Sequence, residues 1–209
     1  MQELRMASPG EGLRDRRRRE TRREIHTAAL RLARKHGFGK VTVDMISAEA
    51  GVSPRTFFNY FPNKEEALLL GPKEVPPALA AEFVAAGVAS PRTVLADVTQ
   101  LLVREMTDNP PERALMHDVF ALADSHPPVL AAMLARIDGF QRSIADVVAQ
   151  RMGQRPDDEV PSLIAAVALT AVRSGLERWA RAVPGSATDD SPIPYVERAL
   201  DLLHALSAD

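Results

Sequence analysis

No cysteine occurs among the 209 residues, which excludes disulfides, thiolate zinc sites and cysteine nucleophiles. Histidine is scarce: His26, His36, His117, His126 and His204 include no pair at metal-ligand spacing, so neither a metal nor a cofactor is expected. There is no G-x-S-x-G, no P-loop and no local His/Asp constellation. The chain is therefore not expected to be an enzyme, and no catalytic residue is nominated. The N-terminus is polar and arginine-rich without an apolar h-region, unlike a secretory signal. The longest near-apolar run, "LIAAVALTAV" at 163–172, is too short for a bilayer span. These absences predict a cytoplasmic protein with no membrane part. Strand patterns and internal repeats are missing too.

What is present is charge, unevenly placed. Residues 1–64 hold 14 Lys/Arg against 7 Asp/Glu, whereas residues 65–209 hold 12 against 21. The formal net charge of −2 hides this split. A basic front on an acidic body suits a protein whose front alone meets a polyanion. A solvated charged helix beside an ordinary domain would look the same by charge.

Periodicity and breakers divide the chain into helices. Residues 1–13 are low in apolar content and are expected to be disordered. Ile25, Ala28, Ala29, Leu32 and Ala33 recur at helical spacing behind the run "RDRRRRETRRE", and Gly37 and Gly39 stop that first helix. Thr42 caps a second from Val43 to Ala50, ended by Gly51. Ser53 caps a third, with Pro54 at its first position. Asn63 and Glu66 open a fourth in capping-box fashion, which Gly71-Pro72 breaks. Beyond residue 70 helices are expected at about 77–87, 91–107, 111–124, 128–153, 158–182 and 193–207, separated by proline-rich breaks and the loop "PGSATDDSPIP". The fold class is all-α, with nine or ten helices.

Aromatics are few, ten in all, yet Phe57, Phe58, Tyr60 and Phe61 fall within five positions. Two short helices joined by a glycine turn within residues 43–61 make a helix-turn-helix. Phe57 and Phe61, four apart, share a face and can pack with Ile46, Ala50 and Val52. That leaves Arg55, Thr56, Asn59 and Tyr60 pointing outward. Arginine can bond guanine, threonine and phenylalanine can touch a thymine methyl, and tyrosine can bond phosphate. Lys64 lies in the first turn of the fourth helix, where the helix dipole disfavours a cation. A phosphate bound there would answer that mismatch; so would a side chain simply exposed to solvent.

The run "TVDMISAEAGVSPRTFFNYFPNKEEALL", Thr42 to Leu69, resembles the DNA-binding signature of TetR-family transcriptional regulators. Thr42, Ile46, Ala50, Gly51, Val52, Ser53, Thr56, Phe57, Tyr60, Phe61, Lys64, Glu65 and Leu68 match it. Ser47 replaces a usual alanine, Asn63 a usual Ser or Thr, and Phe58 a frequent tyrosine. The resemblance implies that Thr42, Ser53, Tyr60 and Lys64 position phosphates and that Arg55, Thr56 and Asn59 read bases. Pro54 and Phe58 belong to the same expected surface, although packing beneath the recognition helix is the favoured place for Phe58. Arg16, Arg17, Arg18, Arg19, Arg22 and Arg23, interleaved with Glu20 and Glu24 at pairing distance, are a weaker signal: beside such a motif they are expected to add phosphate or minor-groove contacts, the alternative being a solvated helix start.

The resemblance further implies a helix-turn-helix domain over 14–70 and, over 71–209, a domain that dimerises and often binds a small effector. In 158–182 one face carries Ile164, Ala168, Ala171, Val172, Gly175, Leu176 and Trp179, and another carries Leu163, Val167, Thr170 and Ser174. A helix apolar around most of its girth is buried on more than one side. With Tyr195, Val196, Ala199, Leu200, Leu203 and Leu206 it can form a two-fold homodimer interface. Leu102, Met106, Met116, Phe120, Met133, Leu134, Ile137 and Phe140 are candidate pocket residues, or plain core. Gln141, Thr170 and Arg173 can orient a ligand, and Arg173 can equally join a surface charge pair. The expected function is a repressor that binds a palindromic operator in double-stranded DNA and is released by an apolar small molecule, a fatty acyl compound or lipophilic drug. The alternative is a DNA-binding regulator without a ligand, controlled by a protein partner.

Overall fold

Local chemistry dictates where most helices start. The computed structural model describes residues 13–69, 71–182 and 191–206. The helices are α1 (Leu13–His36), α2 (Val43–Glu49), α3 (Pro54–Phe58), α4 (Lys64–Ala67), α5 (Pro77–Ala85), α6 (Pro91–Asp108), α7 (Arg113–Ser125), α8 (Pro127–Met152), α9 (Glu159–Arg181) and α10 (Ile193–Leu206), with a single 3₁₀ turn at Phe38–Lys40. No strand occurs among the described residues. Four helices open on proline, whose fixed φ suits the first turn and whose missing N–H is not needed there. Thr42, Ser53, Asn63 and Ser90 accept from the backbone N–H three residues on, as N-caps do. Apart from Leu13, which begins α1, the segment 1–13 lies outside the described residues. Residues 183–190, most of the loop expected before α10, lie outside them as well.

The chain divides into two compact units, Met1–Leu70 and Gly71–Asp209. In the first, Ile25, Ala28, Ala29, Leu32 and Ala33 of α1 are buried with Phe38, Val41, Ile46, Phe57 and Phe61. Expectation and structure part company at α4. The sequence reading carried that helix to Gly71, but it is one turn long and ends at Ala67. Ala67, Leu68 and Leu69 are all buried, and three consecutive residues span about 200° around a 3.6-residue helix. A continuing helix would turn one of them outward; Leu68 and Leu69 instead bond back three residues, to Glu65 O and Glu66 O.

In the second unit α9 is central and packs against α6, α7, α8 and α10. The apolar run at 163–172 belongs to this 23-residue helix, which is long and apolar enough to cross a membrane by length and composition. Its buried residues run from Pro161 to Ala180 along one face, the pattern of a core helix. Gly175 lets α10 come close, for a Cβ there would lie 2.5 Å from Val196 Cα. The main core gathers Val94, Val98, Leu101, Leu102, Ile144, Val148, Ile164, Ala168, Val172 and Val196. A smaller cluster holds Phe120, Trp179 and Ala180. Among the described residues one cation is buried: the Arg151 guanidinium donates to Asp97 Oδ2 at 2.6 Å and Gly87 O at 2.9 Å, and lies 4.6 Å from the Phe83 ring centre.

Candidate nucleic-acid interface

The short recognition helix is held from below and free above. Phe57 and Phe61 are fully buried, their rings 5.9 Å apart. Arg22 of α1 stacks over Phe61 at 5.1 Å, a contact absent from the sequence reading. Gly51 takes the left-handed conformation, φ 67°, that lets α2 turn into α3. On the opposite side Arg55, Phe58 and Asn59 are exposed, while Thr56 and Tyr60 are half-buried. Phe58 is 56% exposed, which overturns its expected place beneath the helix. Its ring only meets Phe57 edge-on, at 5.4 Å.

The hydroxyls have local work. Thr42 Oγ1 accepts from Met45 N at 3.2 Å, and Ser53 Oγ accepts from Thr56 N at 3.0 Å. A hydroxyl that accepts in this way keeps its proton for a second partner such as phosphate. Ser53 Oγ and Thr56 Oγ1 lie 2.8 Å apart in a further hydrogen bond. Either hydroxyl can donate in that contact, so it uses one of the two protons, and the Thr56 methyl remains for a base.

Lys64 departs further from expectation. Its ammonium donates to Val41 O at 2.8 Å and Phe38 O at 3.3 Å and lies 4.6 Å from the Phe38 ring centre. The ammonium therefore ties α4 to the turn before α2. His26, fully buried in α1, is a second tie the sequence reading missed. Its Nδ1 lies 2.9 Å from Ala67 O, and a carbonyl only accepts, so Nδ1 carries the proton. The signal was a histidine next to Ile25 in an apolar stripe. Farther along α1, Arg16 pairs with Glu20 at 3.1 Å, and Arg16, Arg17, Arg18, Arg19 and Arg23 are exposed.

These features are matched by known proteins. The profile of bacterial regulatory proteins, tetR family, matches residues 25–69, and that of the MftR C-terminal domain matches residues 92–206. The chain belongs to the TetR family. It is similar to the HTH-type transcriptional regulator TcmR of Streptomyces glaucescens, 31% identical over 81% of this chain and 77% of that one. It is also similar to a protein of Mycobacterium tuberculosis named as the mycofactocin biosynthesis transcriptional regulator MftR, 28% identical over 87% of this chain and 90% of the relative. A solved TetR-family structure from Syntrophomonas wolfei shares the fold, with TM-score 0.53 and 18% identity over 92% of this chain and 97% of its own. As a member of the TetR family this protein is a DNA-binding transcriptional regulator and not an enzyme.

The candidate effector residues do not form one lining. Leu102 is buried in the main core, with Met106, Ile137 and Phe140 packed against it. Phe120 belongs to the smaller cluster, with Met116 and Met133 packed against it. Gln141 is half-buried. Three expectations are corrected. Leu134 is 49% exposed, on the outer side of α8. Thr170 is exposed on the outer face of α9, between buried Leu169 and Ala171. Arg173 is exposed too, and its guanidinium faces Glu177 at 3.7 Å, the surface pair named as its alternative.

Proposed function

We propose that this TetR-family regulator is a cytoplasmic repressor that binds a two-fold symmetric operator as a homodimer and is released by an apolar small molecule. The observation that carries the DNA half is the division of α3 and the turn that follows it: two rings fully buried and Arg55, Phe58 and Asn59 exposed on the other side. Arg55 and Asn59 read base edges, while Phe58 and the Thr56 methyl meet thymine methyls or sugars. Thr42, Ser53 and Tyr60 donate to phosphates. Pro54 keeps the N-terminus of α3 rigid beside them. Lys64 acts mainly by fixing α4, and its charge adds to the field the phosphates meet. The exposed arginines of α1 extend that field.

The 14–70 unit is the reading head, and residues 71–209 form the dimerising and effector-binding body. An outward α9 face, Leu163, Val167, Thr170 and Ser174, supports the dimer reading. Leu163 on that face is 60% exposed, and Leu202 on α10 is 51% exposed. A ligand can release DNA only by favouring the DNA-incompetent arrangement. A tenfold loss of affinity needs about 1.4 kcal/mol of coupling. Half-sites for such a dimer lie about 34–36 Å apart, or at multiples of that.

Selection from random duplexes followed by footprinting tests the reading. A palindromic site is expected, and Arg55→Ala should cost about 1–3 kcal/mol on it and relax one base position. Binding without sequence preference, lost at modest salt, would refute the operator reading.

A further inference from the structure

The chain's single tryptophan, Trp179 on α9, is fully buried. Its indole Nε1–H has no acceptor among the described residues. A buried donor without a partner keeps its whole desolvation penalty, which exceeds what an average hydrogen bond contributes. Such a group is either a cost the fold absorbs or a contact waiting for its other half.

We propose that Trp179 is the polar contact of the effector site, and that the effector is an apolar molecule presenting a carbonyl or carboxylate oxygen to the indole N–H. The inference rests on the effector reading above and specifies where the ligand binds and what it must carry. The surroundings favour such a guest. Phe120 and Ala180 are buried with the indole, and Met116, Met133, Leu176 and Tyr195 pack around them only partly buried. Methionine side chains are unbranched and polarizable, so they can re-pack around an entering apolar body at small cost. The Arg113 guanidinium lies over the indole ring, 5.2 Å from its centre. Its charge attracts an anionic or dipole-negative end and repels an ammonium.

The larger core offers no comparable handle. Its buried Thr99 hydroxyl already donates to Ala96 O at 2.7 Å, and buried Arg151 is bonded to Asp97 and Gly87. The cluster around Trp179 thus combines adaptable apolar walls, an unmet donor and a nearby cation. It spans α7, α8, α9 and the start of α10, so filling it separates helices that otherwise touch through this cluster.

One tryptophan gives one indole cross-peak in a ¹H–¹⁵N spectrum of the full-length wild-type protein. Octanoate and decan-2-one, which carry acceptors, should move the indole proton downfield on saturation, whereas octylammonium, which carries none, should not. Trp179→Phe should weaken octanoate binding about tenfold, the size of a hydrogen bond to a charged acceptor. Release of the selected operator by any of the three while the indole peak stays in place would overturn this site and leave the effector reading standing. An equal shift from octylammonium would overturn the acceptor requirement. If none of the three moves the peak or releases the operator, the site and the effector reading fail together.

Discussion

Gly175→Ala adds a single methyl group where α9 and α10 meet. A Cβ at that position would lie 2.5 Å from Val196 Cα, 2.7 Å from Val196 N and 2.9 Å from Tyr195 C. All three are backbone atoms, so no rotamer change relieves the clash; the helix itself must move. Forcing a methyl into a packed contact costs about 1–3 kcal/mol. The same change removes the penalty of glycine inside a helix, about 0.5–1 kcal/mol. The net expectation is a loss of up to about 2.5 kcal/mol, or a fall in Tm of up to roughly 10 °C for a chain this size. Gly139→Ala in α8 is the internal control, because a Cβ there meets nothing within 4 Å. It keeps only the backbone gain and should raise Tm by about 1–4 °C. Both variants are melted by circular dichroism at one protein concentration, since dimerisation makes Tm concentration-dependent. Equal stabilisation by the two changes would refute the close approach of α10 to α9.

Two further perturbations separate structure from recognition. Lys64→Ala removes charged donors from Val41 O and Phe38 O, and should destabilise the head by about 1.5–3 kcal/mol, seen as faster amide exchange in α2 and α4 without a change in preferred operator sequence. Glu105→Gln tests a titration: burial holds the Glu105 carboxyl above the ordinary carboxylate range, against a hydrogen bond from Asn109 that lowers it. A raised folded pKa means the wild type is favoured when protonated and loses that advantage as pH rises through the raised value. The glutamine variant should therefore melt higher than wild type at pH 7 and alike at pH 4, and a constant offset across that range would contradict the burial argument.

Much of this was legible because it is local. A cap, a proline and a glycine act within four residues, so Thr42, Ser53 and Asn63 announce their helices, and Phe57 with Phe61 announces a buried face. The ties of Lys64 to Phe38 and Val41 and of His26 to Ala67 join residues 23 to 41 positions apart, which no periodicity reports. The candidate lining was only partly legible for a related reason. Helical spacing shows that Leu134 and Thr170 share stripes with apolar neighbours, but not which side of α8 or α9 faces another helix. Phe58 was misjudged because an aromatic ring is expected to hide; beside two rings already filling the space below α3, it has nowhere to go but out.

Buried Arg151 has a mechanical consequence. Its guanidinium is bonded at once to the loop after α5 and to α6, from a root on α8, with its flat face on Phe83 of α5. Sliding any one of these three helices by a turn would strand a charge away from water, at several kcal/mol. Those helices behave as a riveted block, at least near that end of α8. Rearrangements of the body are then channelled to the elements the rivet does not touch: α7, the first turns of α8, and the α9–α10 pair. Those same elements enclose the tryptophan and present the outward α9 face, so the proposed guest at the first would bear directly on the geometry of the second.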